Sequence, residues 1–300
     1  MSLKDLIRKM TPDSLLNWNR RRKKRERNNQ LSNQKNSSKS ISQKDLENDF
    51  RNAGIIERDV VLVHSSLSRI GHLKDGPKTF VDALKNVVGD SGTILMPTSP
   101  NAVYQLDYIR QNKTFDVLNT PSKTGKITEY FRTLPGSKRS LHPTEPVSGI
   151  GANVDYFIGE HFGELTPYTS KSPFYKVSEK GGKILYVGVT LSMAGTNLHT
   201  LEDAVDFKFP VYVDEIFDVE VIDENGKKHL VKTKIHDPFF SKKRKCDDLI
   251  PMFINEGAMK KAKIGEAETL VADAKKFFEV MMRFYKEKGV TIYTPKGGDR

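Results

Sequence analysis

The apolar residues of this chain fall into short continuous runs separated by amphipathic stretches. Asp59-Val60-Val61-Leu62-Val63, Thr93-Ile94-Leu95-Met96-Pro97 and Lys183-Ile184-Leu185-Tyr186-Val187-Gly188-Val189 are too short for buried helices and predict buried strands. Between them the period lengthens to that of a helix. Leu46, Phe50 and Ala53 form one stripe, opened by Ser42 as N-cap and closed by Gly54. Phe80, Val81, Leu84, Val87 and Val88 form a second over 77–88, stopped at Gly89, and residues 126–134 carry a third. Later the texture changes to strict alternation: Val211, Val213, Ile216, Val219 and Val221 lead to Glu224-Asn225-Gly226-Lys227 and then Leu230 to Ile235. Asn-Gly between alternating segments signals a hairpin. Residues 270–285 read as a long amphipathic helix and Val290–Tyr293 as a last strand. The pattern predicts an α/β fold: a mixed, partly parallel central sheet with flanking helices and a late antiparallel hairpin.

Residues 1–40 stand apart from this rhythm. They hold 12 lysines and arginines against three acids, whereas the other 260 residues hold 37 against 35. The net charge of +11 therefore belongs to an arm and not to the body. Leu3, Leu6, Ile7, Met10, Leu15, Leu16 and Trp18 recur at roughly helical spacing before the basic run Arg20–Arg27. Such a segment suits an anionic membrane surface through residues 1–27, and equally a solvated tail. The division expected is a basic amphipathic arm over 1–40 and one catalytic domain over 41–300. No aromatic residues interleave with the basic ones as a nucleic-acid platform requires. No apolar run is long enough to span a bilayer and no signal-peptide core is present, which points to a cytoplasmic protein, peripheral to a membrane at most. The lone Cys246, set among Lys242, Lys243, Arg244, Lys245, Asp247 and Asp248, excludes an internal disulfide and a multi-cysteine zinc site.

Three polar segments follow or join the apolar runs, where α/β proteins bind ligands. His64-Ser65-Ser66-Leu67-Ser68-Arg69-Ile70-Gly71 offers an imidazole and three hydroxyls suited to a long cofactor, or a plain turn. Arg139-Ser140-Leu141-His142-Pro143-Thr144-Glu145-Pro146-Val147-Ser148 is held extended by its prolines and presents Arg139, His142 and Ser148, or is a rigid connection. In Gly195-Thr196-Asn197-Leu198-His199-Thr200-Leu201-Glu202-Asp203, Thr196 or Asn197 could cap a helix that sets His199 and Glu202 on one face. A carboxylate fixes the tautomer of such an imidazole and stabilises its protonated form, as a general base requires, though a structural pair has the same spacing. A Ser65 or Ser66 nucleophile is conceivable beside it. Phosphate-loop, dinucleotide, nucleophile-elbow and His-Glu-x-x-His motifs are missing, and the seven histidines are scattered with no close pair, so no metal is expected.

Taken in order, these segments resemble the aminoglycoside 3-N-acetyltransferase family. The likeness rests on strand-His64-Ser65-Ser66-Leu67-Ser68-x-x-Gly71, Thr120–Lys126 with Phe131-Arg132 and Pro135-Gly136, Arg139-Ser140-x-His142-Pro143 with Ser148 and Gly151, Ser172-Pro173, and Thr196-x-Leu198-His199-x-x-Glu202, over roughly residues 43 to 290. It implies the fold of that family, acetyl-CoA as donor, and direct transfer in a ternary complex. It implies His199 as general base, Glu202 orienting it, and Thr196 or the Ser65–Ser68 loop as oxyanion donors. His64, Ser65, Ser66, Leu67, Ser68, Gly71, Arg139, His142 and Ser148 would line the CoA arm. A polycationic acceptor would need an acidic site, yet the body is slightly basic. The acceptor expected is therefore a nucleotide-linked amino sugar such as a dTDP-3-amino-3,6-dideoxyhexose, with an aminoglycoside as the alternative. A non-catalytic membrane-associated binding protein is the rival of a different class.

Overall fold

The computed structural model describes residues 40–101 and 104–298, together with Arg22. The basic arm, and with it the expected membrane contact, lies outside the described residues but for Arg22 and Ser40. No helix among the described residues is long and apolar enough to cross a membrane.

Ten strands build two sheets. In chain order they are β1 (Val60–Ser65), β2 (Thr93–Pro97), β3 (Thr114–Asp116), β4 (Lys138–Arg139), β5 (Val147–Gly151), β6 (Lys183–Val187), β7 (Phe217–Ile222), β8 (Lys228–Thr233), β9 (Met259–Ile264) and β10 (Ala267–Asp273). The main sheet runs β4-β5-β2-β1-β6-β10-β9 and the small one β3-β7-β8. β1 pairs in parallel with both β2 and β6, and every other pairing in the main sheet is antiparallel. The three predicted strands thus form the parallel centre. Their apolar runs are continuous because helices cover both faces.

On one face Val61, Val63, Ile94 and Leu185 pack against helices Gln43–Asn52, Pro77–Val88 and Lys126–Arg132. On the other, Leu62, Leu95, Ile184 and Tyr186 pack against helices Pro173–Glu179 and Ala274–Lys288. Fully burying each such side chain contributes about 1.5–3 kcal/mol. The first helix begins as expected: the Ser42 side chain accepts from Asp45 N while Asp45 accepts from Ser42 N, a reciprocal cap.

Two expectations fail late in the chain. Residues 270–273 of the expected long helix belong to β10, hydrogen-bonded to β6 and β9, and the helix starts only at Ala274. Leu270, Val271 and Ala272 are buried on both faces of the sheet, so their apolar run carries no alternation to set it apart from a helix core. Asp273 makes the switch, its carboxylate accepting from Lys276 N as N-cap. The expected strand Val290–Tyr293 is instead a turn, because the Thr291 hydroxyl captures the amides of Tyr293 and Thr294. The Asn-Gly hairpin forms, with Asp223 accepting from Asn225 N and Lys227 N, and β3 joins its β7 strand in parallel.

Candidate active site

The site grows from the carboxyl ends of β1 and β6. Gly188 ends β6 with φ +66, and a Cβ there would lie 2.7 Å from the Cβ of Arg69. The chain can turn back over the sheet only because this residue lacks one. A short helix Leu191–Ala194 follows, then a 3-10 turn Thr196–His199 and a helix Thr200–Ala204. The expected N-cap by Thr196 or Asn197 does not form; Thr200 Oγ1 instead donates back to the Asn197 carbonyl (2.7 Å). The 3-10 geometry matters, because side chains at i and i+3 eclipse, which puts Thr196 and His199 on one face roughly 6 Å apart along the axis.

His199 and Glu202 meet as the spacing implied. His199 Nδ1 donates to Glu202 Oε2 (2.8 Å), and both residues are buried. Two further donors were not evident in the sequence: His236 Nε2 donates to the same oxygen (2.7 Å) and the Tyr293 hydroxyl to Oε1 (3.0 Å). Burial works to raise the Glu202 carboxyl, but the two imidazoles and their hydrogen bonds override it and hold it well below the usual range. Burial pushes His199 down to about 3 against the pull of Glu202, so the resting imidazole is neutral. With Nδ1–H committed to the carboxylate, the lone pair lies on Nε2. The Tyr168 ring packs on both imidazoles, at 5.0 Å from His199 and 5.5 Å from His236.

The donor atoms of His199, Glu202 and His236 lie within 4.8 Å of one another, close enough to suggest a metal. Their 2.7 and 2.8 Å separations are hydrogen-bond distances to a single carboxylate oxygen, and the network explains all three residues without an ion. It continues outward: His236 N donates to Gln105 Oε1 (3.0 Å), whose Nε2 donates to Glu145 (2.7 Å), and Ser99 also donates to Glu145. A second buried carboxylate is thus linked to the site through Gln105.

The first segment reaches the site in part. His64 lies within β1, registered beside Tyr186 of β6 with the rings stacked 5.1 Å apart, and its Nε2 is 3.3 Å from Thr196 Oγ1. Burial lowers His64 to about 4, so it too is neutral. It supports Thr196 and is not open to a CoA arm. Ser66 and Ser68 remain half-exposed at the strand end, whereas the Ser65 hydroxyl is buried and has no hydrogen-bond partner among the described residues. Neither Ser65 nor Ser66 is hydrogen-bonded to an imidazole among the described residues, so no nucleophile–base pair forms there. Leu67 packs into the core, and Gly71 is buried with φ +103, where a Cβ would meet Ile41 Cδ1 at 2.7 Å. Both are packing residues.

In the second segment Arg139, His142 and Ser148 are buried, and each is held by contacts within the protein. Arg139 donates to the carbonyls of Thr98, Val117 and Thr120 and to Thr98 Oγ1, and lies over the Phe115 ring. Burial lowers it to about 9. It ties the main sheet to the small one. Ser148 Oγ pairs with Thr98 Oγ1 (3.0 Å), and His142 is stacked on His161 (4.7 Å), itself hydrogen-bonded to Ser140 (3.0 Å).

Comparison with known proteins bears on the same segments. The sequence model of the family described as aminoglycoside 3-N-acetyltransferase matches residues 62–286. Aminoglycoside N(3)-acetyltransferase VII of Streptomyces paromomycinus is 27% identical over 206 residues, covering 62% of this chain and 71% of that protein. Among solved structures, the one described as AAC-IIIb binary with CoASH superposes with a TM-score of 0.68 at 25% identity, over 82% of this chain and 97% of the other. AAC-VIa bound to sisomicin gives 0.71 at 25% identity, over 82% and 98%.

Proposed function

The chain belongs to the aminoglycoside 3-N-acetyltransferase family and is an acetyl-CoA-dependent N-acetyltransferase, and from that premise we propose that His199 is the general base that deprotonates an amino-sugar amine as it attacks the thioester of acetyl-CoA. The observation that carries the assignment is the buried carboxylate of Glu202, which fixes the His199 tautomer with Nδ1–H toward itself and the Nε2 lone pair outward. Nε2 takes a proton from the attacking amine, and the imidazolium that forms is stabilised by Glu202. The amine nitrogen bonds to the thioester carbonyl carbon, and the carbonyl oxygen becomes an oxyanion. Thr196, on the same 3-10 face and backed by His64, donates to that oxygen. Collapse of the tetrahedral species breaks the carbon–sulfur bond and releases CoA thiolate. Ser65, Ser66 and Ser68 are the remaining candidates to meet the CoA arm. His236 and Tyr293 act through Glu202 as positioning residues.

For the acceptor, the relatives' names favour an aminoglycoside. The buried carboxylates Glu145 and Glu202 and the half-buried Asp203 suit a cationic amine. The nucleotide-linked amino sugar expected from the charge of the chain finds no support in the comparisons. One observation keeps an anionic acceptor in play as a second reading: the guanidinium of Arg244, taken up below.

The test is thiol release from acetyl-CoA with sisomicin as acceptor. The expected result is turnover that falls by ~10²–10⁴ in His199→Ala, with CoA binding unchanged. Wild-type turnover in that variant would remove His199 from its role.

A further inference from the structure

Arg244 lies on the segment between helix Pro238–Ser241 and the 3-10 turn Cys246–Leu249. Lys245 N of that segment donates to the Ile292 carbonyl (2.7 Å), which ties it alongside Tyr293. The guanidinium is hydrogen-bonded to Tyr293 and near enough to act electrostatically on Glu202, Tyr168 and His199, so it stands close to the base. Two of its nitrogens, Nε and Nη2, are buried and have no hydrogen-bond partner among the described residues.

Those two nitrogens form one edge of the guanidinium plane. Their N–H bonds run side by side in the fork that matches two oxygens of a carboxylate or a phosphate. A buried N–H without a partner costs about 1–3 kcal/mol, and more on a charged group. The buried carboxylates of the network around the base are satisfied: Glu202 has three donors and Glu145 is bonded to Ser99, Asn101 and Gln105. Arg139, a buried arginine of the same chain, has its own fork filled by Thr98. The fork itself is buried, while the residue as a whole keeps some exposure, which sets the fork just beneath the surface. Lys242, Lys243 and Lys245 are exposed on the same segment and make its approach positive.

We infer that Arg244 is a specificity-determining residue whose free guanidinium edge takes a carboxylate or phosphate group carried by the acceptor. The phosphates of CoA are not the group concerned, because the pantetheine arm holds them far from the thioester and hence from His199. The inference rests on the transferase reading above and refines its acceptor. An amino sugar with an acidic substituent fits the fork, whereas an aminoglycoside brings only cations to it. In this respect the site departs from what the names of the relatives would suggest.

The experiment compares thiol release from acetyl-CoA with 3-amino-3-deoxyglucose, its 6-phosphate, its uronic acid and sisomicin, for wild type, Arg244→Gln and Arg244→Lys. CoA binding by calorimetry reports that each variant is folded. The wild type is expected to favour the phosphate or the uronic acid over the parent sugar, and which of the two leads identifies the anion. Arg244→Gln should lower kcat/KM by ~10–100-fold more on the charged acceptor than on the parent sugar. Arg244→Lys should fall between, keeping the charge without the fork. Equal losses on charged and uncharged acceptors would make Arg244 a support for Glu202 and overturn the inference, as would a wild-type preference for sisomicin. If no acceptor is acetylated while CoA binds, the transferase reading is what fails. The fork is then tested alone by inorganic phosphate binding, which Arg244→Gln must abolish.

Discussion

Glu202→Gln removes one charge and one acceptor from the centre of the site at almost constant volume. Oε2 accepts from two imidazole N–H groups and Oε1 from Tyr293, so a carboxamide cannot serve all three. If its NH2 takes the place of Oε2, His199 must turn to the tautomer with the proton on Nε2, and the base is lost. If its oxygen takes that place, the tautomer survives but the imidazolium formed during the reaction loses its counter-charge. Two unit charges ~4 Å apart at an effective dielectric of 20 interact by ~4 kcal/mol. At 1.36 kcal/mol per decade, kcat should fall by ~10³, or by ~10² if solvent screens part of the charge. The assay is steady-state thiol release at saturating acetyl-CoA, with CoA affinity and Tm measured alongside. A kcat near the wild-type value in a folded, CoA-binding variant would refute the claim that this charge is felt at the base.

Three other outcomes follow from the geometry. Thr196→Ala should lower kcat by ~10–10³ with KM for acetyl-CoA unchanged and Thr196→Ser largely tolerated; equal loss in both variants would mean the hydroxyl is not the donor. Arg139→Met should lower stability by ~3 kcal/mol or more, since three buried carbonyls lose a charged donor. Its kcat at low temperature should be nearly normal, and a selective loss of acetyl-CoA affinity would restore Arg139 to the CoA arm. His64, His142, His161 and His199 all have folded pKa values pushed down by burial, to about 4 for His64 and about 3 for His161 and His199. The unfolded chain then binds protons first as the pH falls. Stability is complete above the ordinary histidine value and declines below it, by roughly 2 kcal/mol per residue at pH 5. A Tm that stays level between pH 7 and 5 would contradict that account; the four together amount to roughly 8 kcal/mol, for which a fall of roughly 15–30 °C is expected.

The contact between His199 and Glu202 was legible because the two lie three residues apart, where local geometry decides whether they meet. The parallel centre of the sheet was legible for a similar reason, its apolar runs being short and bounded by glycines. His236 and Tyr293 were not, since they reach Glu202 across 34 and 91 residues and no local pattern marks them. The second motif shows a different limit. Arg139, His142 and Ser148 have the side chains of a binding loop, yet all three are buried and Arg139 joins the two sheets, and burial is a property that spacing does not report. β10 failed because a strand buried on both faces and the core of a helix look alike in sequence.

The partners of Glu202 also impose an order in time. His199 and Glu202 leave the ribosome well before β10, which must pair with β6 to complete the sheet beneath them, and before Tyr293, which supplies the last donor to the carboxylate. Chains begin to fold as they are made, N-terminal parts first. A nascent chain halted before residue 267 would carry the acid–base pair over an open β6 edge, with one carboxylate oxygen still lacking its tyrosine. Competence is thereby deferred until the late residues arrive, and fragments released early should be inert toward acetyl-CoA and not partly active.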